Sequence, residues 1–171
     1  MLKTHSLHQF SRKSSVLWWV FLSVGSLGLP SCGSRSLPIV IQAEQFNRGT
    51  VTIDNGEHGY GQGIGVIITP KAPAFAEYDF EVPKTANYDL ELRYASAIAR
   101  PVRVLADKQL ITEHAADGDT GGFLPENQKW QSVGVLDLTR GKHTLRIESD
   151  FVFPHIDQIR LTETGRSVTK S

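Results

Sequence analysis

The chain has 171 residues with 18 Lys+Arg, 18 Asp+Glu and six His, a formal net charge of zero. The balance is uneven: residues 1–36 hold Lys3, Arg12, Lys13 and Arg35 and no acid, which leaves 14 of the basic residues and all 18 acids beyond them, a net of −4. A mildly acidic domain with scattered Lys and Arg lacks the basic footprint of a nucleic-acid binder, so that class is excluded, and the length beyond the N-terminal segment is that of one ordinary domain.

Arg12 and Lys13 precede an uncharged stretch, 16–29, that contains Trp18, Trp19, Phe21 and Leu22. Its 14 residues are too few for a spanning helix, which needs about 20, and suit the hydrophobic region of a secretory signal. Leu29-Pro30-Ser31-Cys32-Gly33 follows and contains the only cysteine. It resembles the bacterial lipobox, in which a leucine and two small residues precede a cysteine that is lipidated after cleavage. Two readings stand. Either Cys32 is the lipidated first residue of the mature chain, or a plain signal peptide is cut nearby and Cys32 is a bystander. Both describe an exported bacterial protein, lipid-anchored at the cell envelope or secreted, with 1–31 as signal peptide and 32–37 as a short polar tether. The membrane enters only through that anchor. A single cysteine allows no intramolecular disulfide.

From Pro38 onward the apolar pattern has period two, not the roughly 3.6 of a helix. The first candidate strands are 39–43 and 64–69. Ala76, Tyr78, Phe80 and Val82 then alternate with Glu77, Asp79 and Glu81 up to Pro83, and Tyr88, Leu90, Leu92 and Tyr94 alternate with Asp89, Glu91 and Arg93. One buried and one wet face is the signature of an antiparallel sheet. Further candidates are 102–106, 132–138, 143–148 and 156–162, separated by turn clusters at Asp54-Asn55-Gly56, Asp117 to Gly122 and Arg140-Gly141-Lys142. About eight or nine short strands and no capped helical pattern predict an all-β fold, a two-sheet antiparallel β-sandwich over 38–163 with jelly-roll topology. Residues 164–171 read as a C-terminal tail.

Three features carry candidate chemistry. Asp157 alternates with Ile159 and Leu161 and so points inward, while Gln42 and Glu44 share a face with Val40 and Phe46. Ionised carboxylates buried without partners are costly, and two together force one to protonate. Calcium, which takes oxygen ligands, resolves this; the alternative is that Asp157 accepts backbone N–H bonds and Glu44 pairs with an arginine. The glycine-dense run Gly59-Tyr60-Gly61-Gln62-Gly63-Ile64-Gly65 lacks the Lys-Ser/Thr and the strand-to-helix switch of a phosphate loop, and reads as a tight loop presenting Tyr60. The polar loop from Thr120 to Trp130 carries an aromatic near each end, Phe123 and Trp130. Rings beside amides and carboxylates suit a pyranose, whose C–H face stacks on a ring while its hydroxyls are hydrogen-bonded. Each ring can equally anchor a core or loop, the reading favoured for Trp130 at the entrance of a strand.

Ile41-Gln42-Ala43-Glu44, Gly59-Tyr60-x-x-Gly63, Tyr88 to Ala95, Thr120-Gly121-Gly122, Leu138 to Leu145 and Ile156-Asp157-Gln158-Ile159 resemble, in order and spacing, the carbohydrate-binding modules of families six and thirty-five. The resemblance implies a galactose-binding-like jelly roll that binds poly- or oligosaccharide without catalysis. It also implies a structural calcium with Glu44 and Asp157 as ligands and Gln42 as a weaker one. In such modules the sugar site lies among loops at one end of the sandwich. By position Tyr60 and Phe123 would be its platforms, and His155 stands where the family often has asparagine.

No catalytic set emerges from the residues themselves. His58, His114, His143 and His155 lack metal-ligand spacing, and no Gly-x-Ser-x-Gly elbow is present. Asp117 and Asp119 share a loop tip, a poor place to exclude water from a glycosidase dyad. The competing reading is a structural or protein-binding envelope domain on the same fold.

Overall fold

Alternation of apolar and polar residues becomes alternation of burial in a computed structural model that describes residues 36–165 except 55, 57–64 and 70. Cys32, Tyr60 and the last residues of the tail lie outside the described residues. The strands are β1 (Ile39–Gln42), β2 (Arg48–Gly49), β3 (Thr52–Asp54), β4 (Val66–Ile68), β5 (Ala74–Val82), β6 (Ala86–Ala95), β7 (Val102–Ala106), β8 (Gln109–Ala115), β9 (Lys129–Leu138), β10 (Gly141–Ser149) and β11 (His155–Glu163). Every second residue of β5, from Ala74 to Val82, is buried, and β6 repeats the pattern from Ala86 to Tyr94.

Two antiparallel sheets result. One runs β3-β4-β11-β6-β9, with β1 sharing the edge of β11 that β4 occupies at its start; the other runs β2-β5-β10-β7-β8. The chain crosses between sheets at nearly every connection, as in a jelly roll. Between the sheets lies one core whose largest fully buried side chains include Tyr78, Tyr88, Leu90, Leu92, Leu145, Ile147, Ile159 and Leu161. Each such aliphatic side chain contributes about 1.5–3 kcal/mol over its exposed state. The described residues hold no α-helix, only 3-10 turns at Ala43–Gln45 and Pro125–Asn127.

Three strands have no counterpart in the sequence pattern. β2 and β3 are two and three residues long, and β8 is an edge strand largely exposed on both faces. With only Ile111 and Ala115 turned to the core, β8 carries no period-two signal.

The strands give the sandwich two unlike ends. At one, short turns link β5 to β6, β7 to β8 and β9 to β10. The β7–β8 turn uses Asp107 and Lys108 at φ 48° and 69°, left-handed values that suit a two-residue hairpin. The described chain enters at this end: Ser36 Oγ donates to Glu163 Oε2 at 2.6 Å, and Lys84 Nζ lies 2.6 Å from Glu163 Oε1. His143 closes the core here, with Nδ1 2.6 Å from Asp107 Oδ2 and Nε2 2.7 Å from the Thr139 carbonyl. At the other end, longer connections (96–101, 116–128 and 150–154) gather the candidate site residues.

Candidate functional site

Glu44 reaches the interior by a route the alternation did not foresee. Ile39 and Ile41 pack on the core while Val40 is 47% exposed, so the inward face of β1 is the odd one. The 3-10 turn after Gln42 changes the phase. It buries Ala43, whose carbonyl accepts the Tyr78 hydroxyl at 2.9 Å, and swings Glu44 over the edge of the core. Gly65 makes room for it: a Cβ there would stand 2.9 Å from Glu44 Cβ and 3.0 Å from its Cγ, so only glycine allows this approach.

Asp157 lies inward as expected, 2% exposed. It is the extra residue of a β-bulge: Ile156 pairs with Tyr94 and Gln158 with Arg93, leaving Asp157 between them. The bulge re-aims a side chain at this rim and buries Ile156 and Asp157 together.

Glu44 and Asp157 line one cleft of about 380 Å³ with Gln42, Gln45, Arg93 and Gln128. Glu44 Oε2 and Asp157 Oδ2 are both buried without a hydrogen-bond partner, as is Gln128 Nε2. Arg93 Nη1 stands 3.4 Å from Asp157 Oδ2, close enough to attract but without hydrogen-bond geometry. Burial pushes the Asp157 carboxyl above its usual range; Arg93 opposes the shift, Glu44 adds to it, and the nearby Gln128 amide opposes it more weakly. Burial, with the Glu44 charge behind it, likewise raises the Tyr78 hydroxyl.

Two orphaned carboxylate oxygens among amide side chains are a donor set that fits a hard cation. Gln42 Oε1 accepts from Gln158 Nε2 at 3.1 Å across the β1–β11 pair, so its oxygen is already engaged. Among the described residues no cluster of three or more His, Cys, Asp or Glu could hold an ion. A cation here would rest on Glu44, Asp157 and neutral oxygens.

Phe123 and His155 meet at the same end. His155 opens β11 and is 7% exposed; its Nδ1 lies 3.0 Å from the Phe123 carbonyl, and the two rings are 4.9 Å apart between centroids. The Arg100 guanidinium sits 4.4 Å from the Phe123 ring centroid, and its Nη1 donates to the Phe153 carbonyl at 3.1 Å. Thr120 ties the loops together: its N–H donates to the Ser96 carbonyl at 2.7 Å, and its Oγ1 accepts from the Ser96 N–H at 2.8 Å. Phe123 is therefore half-buried in a built cluster rather than projecting alone.

Trp130 lies within β9, half-buried beneath the Arg160 guanidinium at 4.0 Å, the anchoring role favoured for it. Asp117 Oδ1 accepts from Gln131 Nε2 at 3.0 Å, tying its loop to β9, and Asp119 Oδ1 accepts from the Gly121 N–H at 2.7 Å, shaping its own loop. Sequence reasoning missed Arg93, Arg100 and Gln128, which reach the two clusters from other strands and loops. Only the pairing register, which no local pattern encodes, brings them there.

No protein family matches the chain by sequence, and no curated protein does. Solved structures do. A family 35 carbohydrate binding module from Clostridium thermocellum matches at TM-score 0.60 and 18% identity, over 75% of this chain and 100% of that one. The C-terminal CBM6 of a marine laminarinase from Zobellia galactanivorans matches at 0.60 and 21%, over 74% and 100%. A Podospora anserina GH26-CBM35 β-(1,4)-mannanase matches at 0.59 and 21% over 77% of this chain, which spans 28% of the mannanase chain. At these identities the likeness shows the fold: the chain is a two-sheet antiparallel β-sandwich of the architecture seen in carbohydrate-binding modules.

Proposed function

We propose that the protein binds poly- or oligosaccharide without catalysing its cleavage, through the loop end of the sandwich, and is held at the bacterial envelope by a lipid on Cys32. The observation that carries this reading is the meeting of Phe123 and His155 in a loop cluster on a fold whose solved neighbours include named carbohydrate-binding modules. Phe123 and Tyr60 offer ring faces to the C–H face of a pyranose, and His155 hydrogen-bonds a hydroxyl. Glu44 and Asp157 hold calcium, with Gln42 as a weaker neighbour; neutralising both carboxylates removes the cost of burying them and ties the turn at 43–45 to β11.

A second reading, a structural or protein-binding envelope domain, is favoured by one observation. Arg100 and His155 both pack on the Phe123 ring, which leaves less of it for a ligand.

A glycan array probed with the purified protein, with and without a calcium chelator, decides between the two readings. The expected result is retention on one class of glycan, weakened by chelation and by Phe123→Ala by about 1–3 kcal/mol. No retention on any glycan would favour the structural reading. Binding that survives Tyr60→Ala and Phe123→Ala together would move the site elsewhere.

A further inference from the structure

Phe151 is 74% exposed, and no other Phe, Tyr or Trp among the described residues is exposed. Two residues on, Phe153 is fully buried and anchors the same loop. A large ring left in water contributes nothing to the core, and this one is held in place: the Phe151 N–H donates to Ser149 Oγ at 3.1 Å, fixing the turn that displays it. Beside the ring lies a cleft of about 180 Å³ lined by Arg103, Glu113, His114, Glu148 and Asp150. Arg103 is clamped there, with Nε 3.1 Å from Glu148 Oε1 and Nη1 3.0 Å from Asp150 Oδ2.

We propose that Phe151 and this cleft form a second sugar subsite that takes one neutral pyranose unit of the chain bound at Phe123 and His155. The proposal rests on the carbohydrate-binding reading. A ring flanked by a fixed guanidinium, carboxylates and an imidazole supplies both a stacking face and hydroxyl partners. The cleft is smaller than the roughly 300–1,000 Å³ of an enclosing ligand pocket, so it meets the face of one ring. Arg103 and Arg146 are both engaged by Glu148, Arg103 also by Asp150, and Glu113 adds a further carboxylate, so no arginine is left to meet an acidic sugar. Arg100 joins this loop to the first cluster, since its guanidinium lies on the Phe123 ring and its Nη1 donates to the carbonyl of Phe153, two residues from Phe151.

Calorimetric titration of the full protein with β-linked gluco-, manno- and xylo-oligosaccharides, from monosaccharide to hexasaccharide, tests this. The wild-type affinity should rise with ligand length. Phe151→Ala should flatten that rise, with a loss of about fivefold to a hundredfold on the longest ligand, an unchanged affinity for the shortest and an unchanged melting temperature. Phe123→Ala should weaken every length. If Phe151→Ala binds all lengths as the wild type does, the subsite is refuted while the carbohydrate reading stands. If the wild type binds none of them, both fall. Oligogalacturonates bound as tightly as neutral oligosaccharides would overturn the preference for uncharged sugar.

Discussion

Asp157 and Glu44 show what one buried carboxylate asks of its surroundings. Each has an oxygen with no hydrogen-bond partner, and the nearest cation, Arg93, offers attraction without a hydrogen bond. Because burial raises the folded-state pKa of Asp157, its ionised form destabilises the fold above the unfolded value, and the cost is relieved as pH falls through the folded value. In chelator the stability that Asp157→Asn gains over the wild type should therefore shrink as pH falls through the folded value of Asp157. At neutral pH added calcium should raise the melting temperature, and Asp157→Asn should abolish that response without lowering stability in chelator. A melting curve indifferent to chelator, calcium and this substitution would remove the metal from the site. The inward aim of Asp157 was legible in its alternation with Ile159 and Leu161. That of Glu44 was not, since it depends on a turn that breaks the alternation.

Among the elements, legibility followed burial. β5, β6, β7 and β11 were readable because one face of each is packed, whereas β8 was not, because it lies at an edge and turns only Ile111 and Ala115 to the core. The acids that alternate outward on β5 looked merely solvated in the sequence. In the structure Glu77 and Asp79 both bind Arg48 of β2, and Glu77 also binds Arg146 of β10, so the outer face is laced across three strands. At the short-turn end His143 of β10 faces a carboxylate and a carbonyl, both acceptors, an arrangement that favours the doubly protonated ring. Burial alone would lower its pKa, but the bonds to Asp107 and Thr139 outweigh this and raise it. The stabilisation is complete below the unfolded value of about 6.5 and is lost as pH rises through the folded one. Denaturant unfolding at about pH 6 and pH 8 should show the wild type losing more stability on alkalinisation than His143→Gln does. Equal losses would show that the pair does not titrate in this range.

For the whole molecule, the two ends divide the labour proposed here. The loop end gathers Phe123, His155, Glu44 and Asp157, while the described chain enters at the opposite end through Ser36 beside Glu163. If a lipid on Cys32 holds the protein, Cys32→Ala should move it from the membrane fraction to the soluble one. Membrane association that survives the substitution would remove the anchor from the proposal.

The short β1–β11 ladder acquires a mechanical meaning from this arrangement. Four antiparallel pairs, Ile39 with Leu161 through Gln42 with Gln158, join the entering chain to the sandwich. A protein tethered through its N-terminus and gripping an immobile polymer at its far end would be pulled along the strand axis. Hydrogen bonds in an antiparallel ladder lie perpendicular to the strands, so that pull loads all four pairs at once in shear. They would resist together, as a glued lap joint does, instead of peeling open one after another.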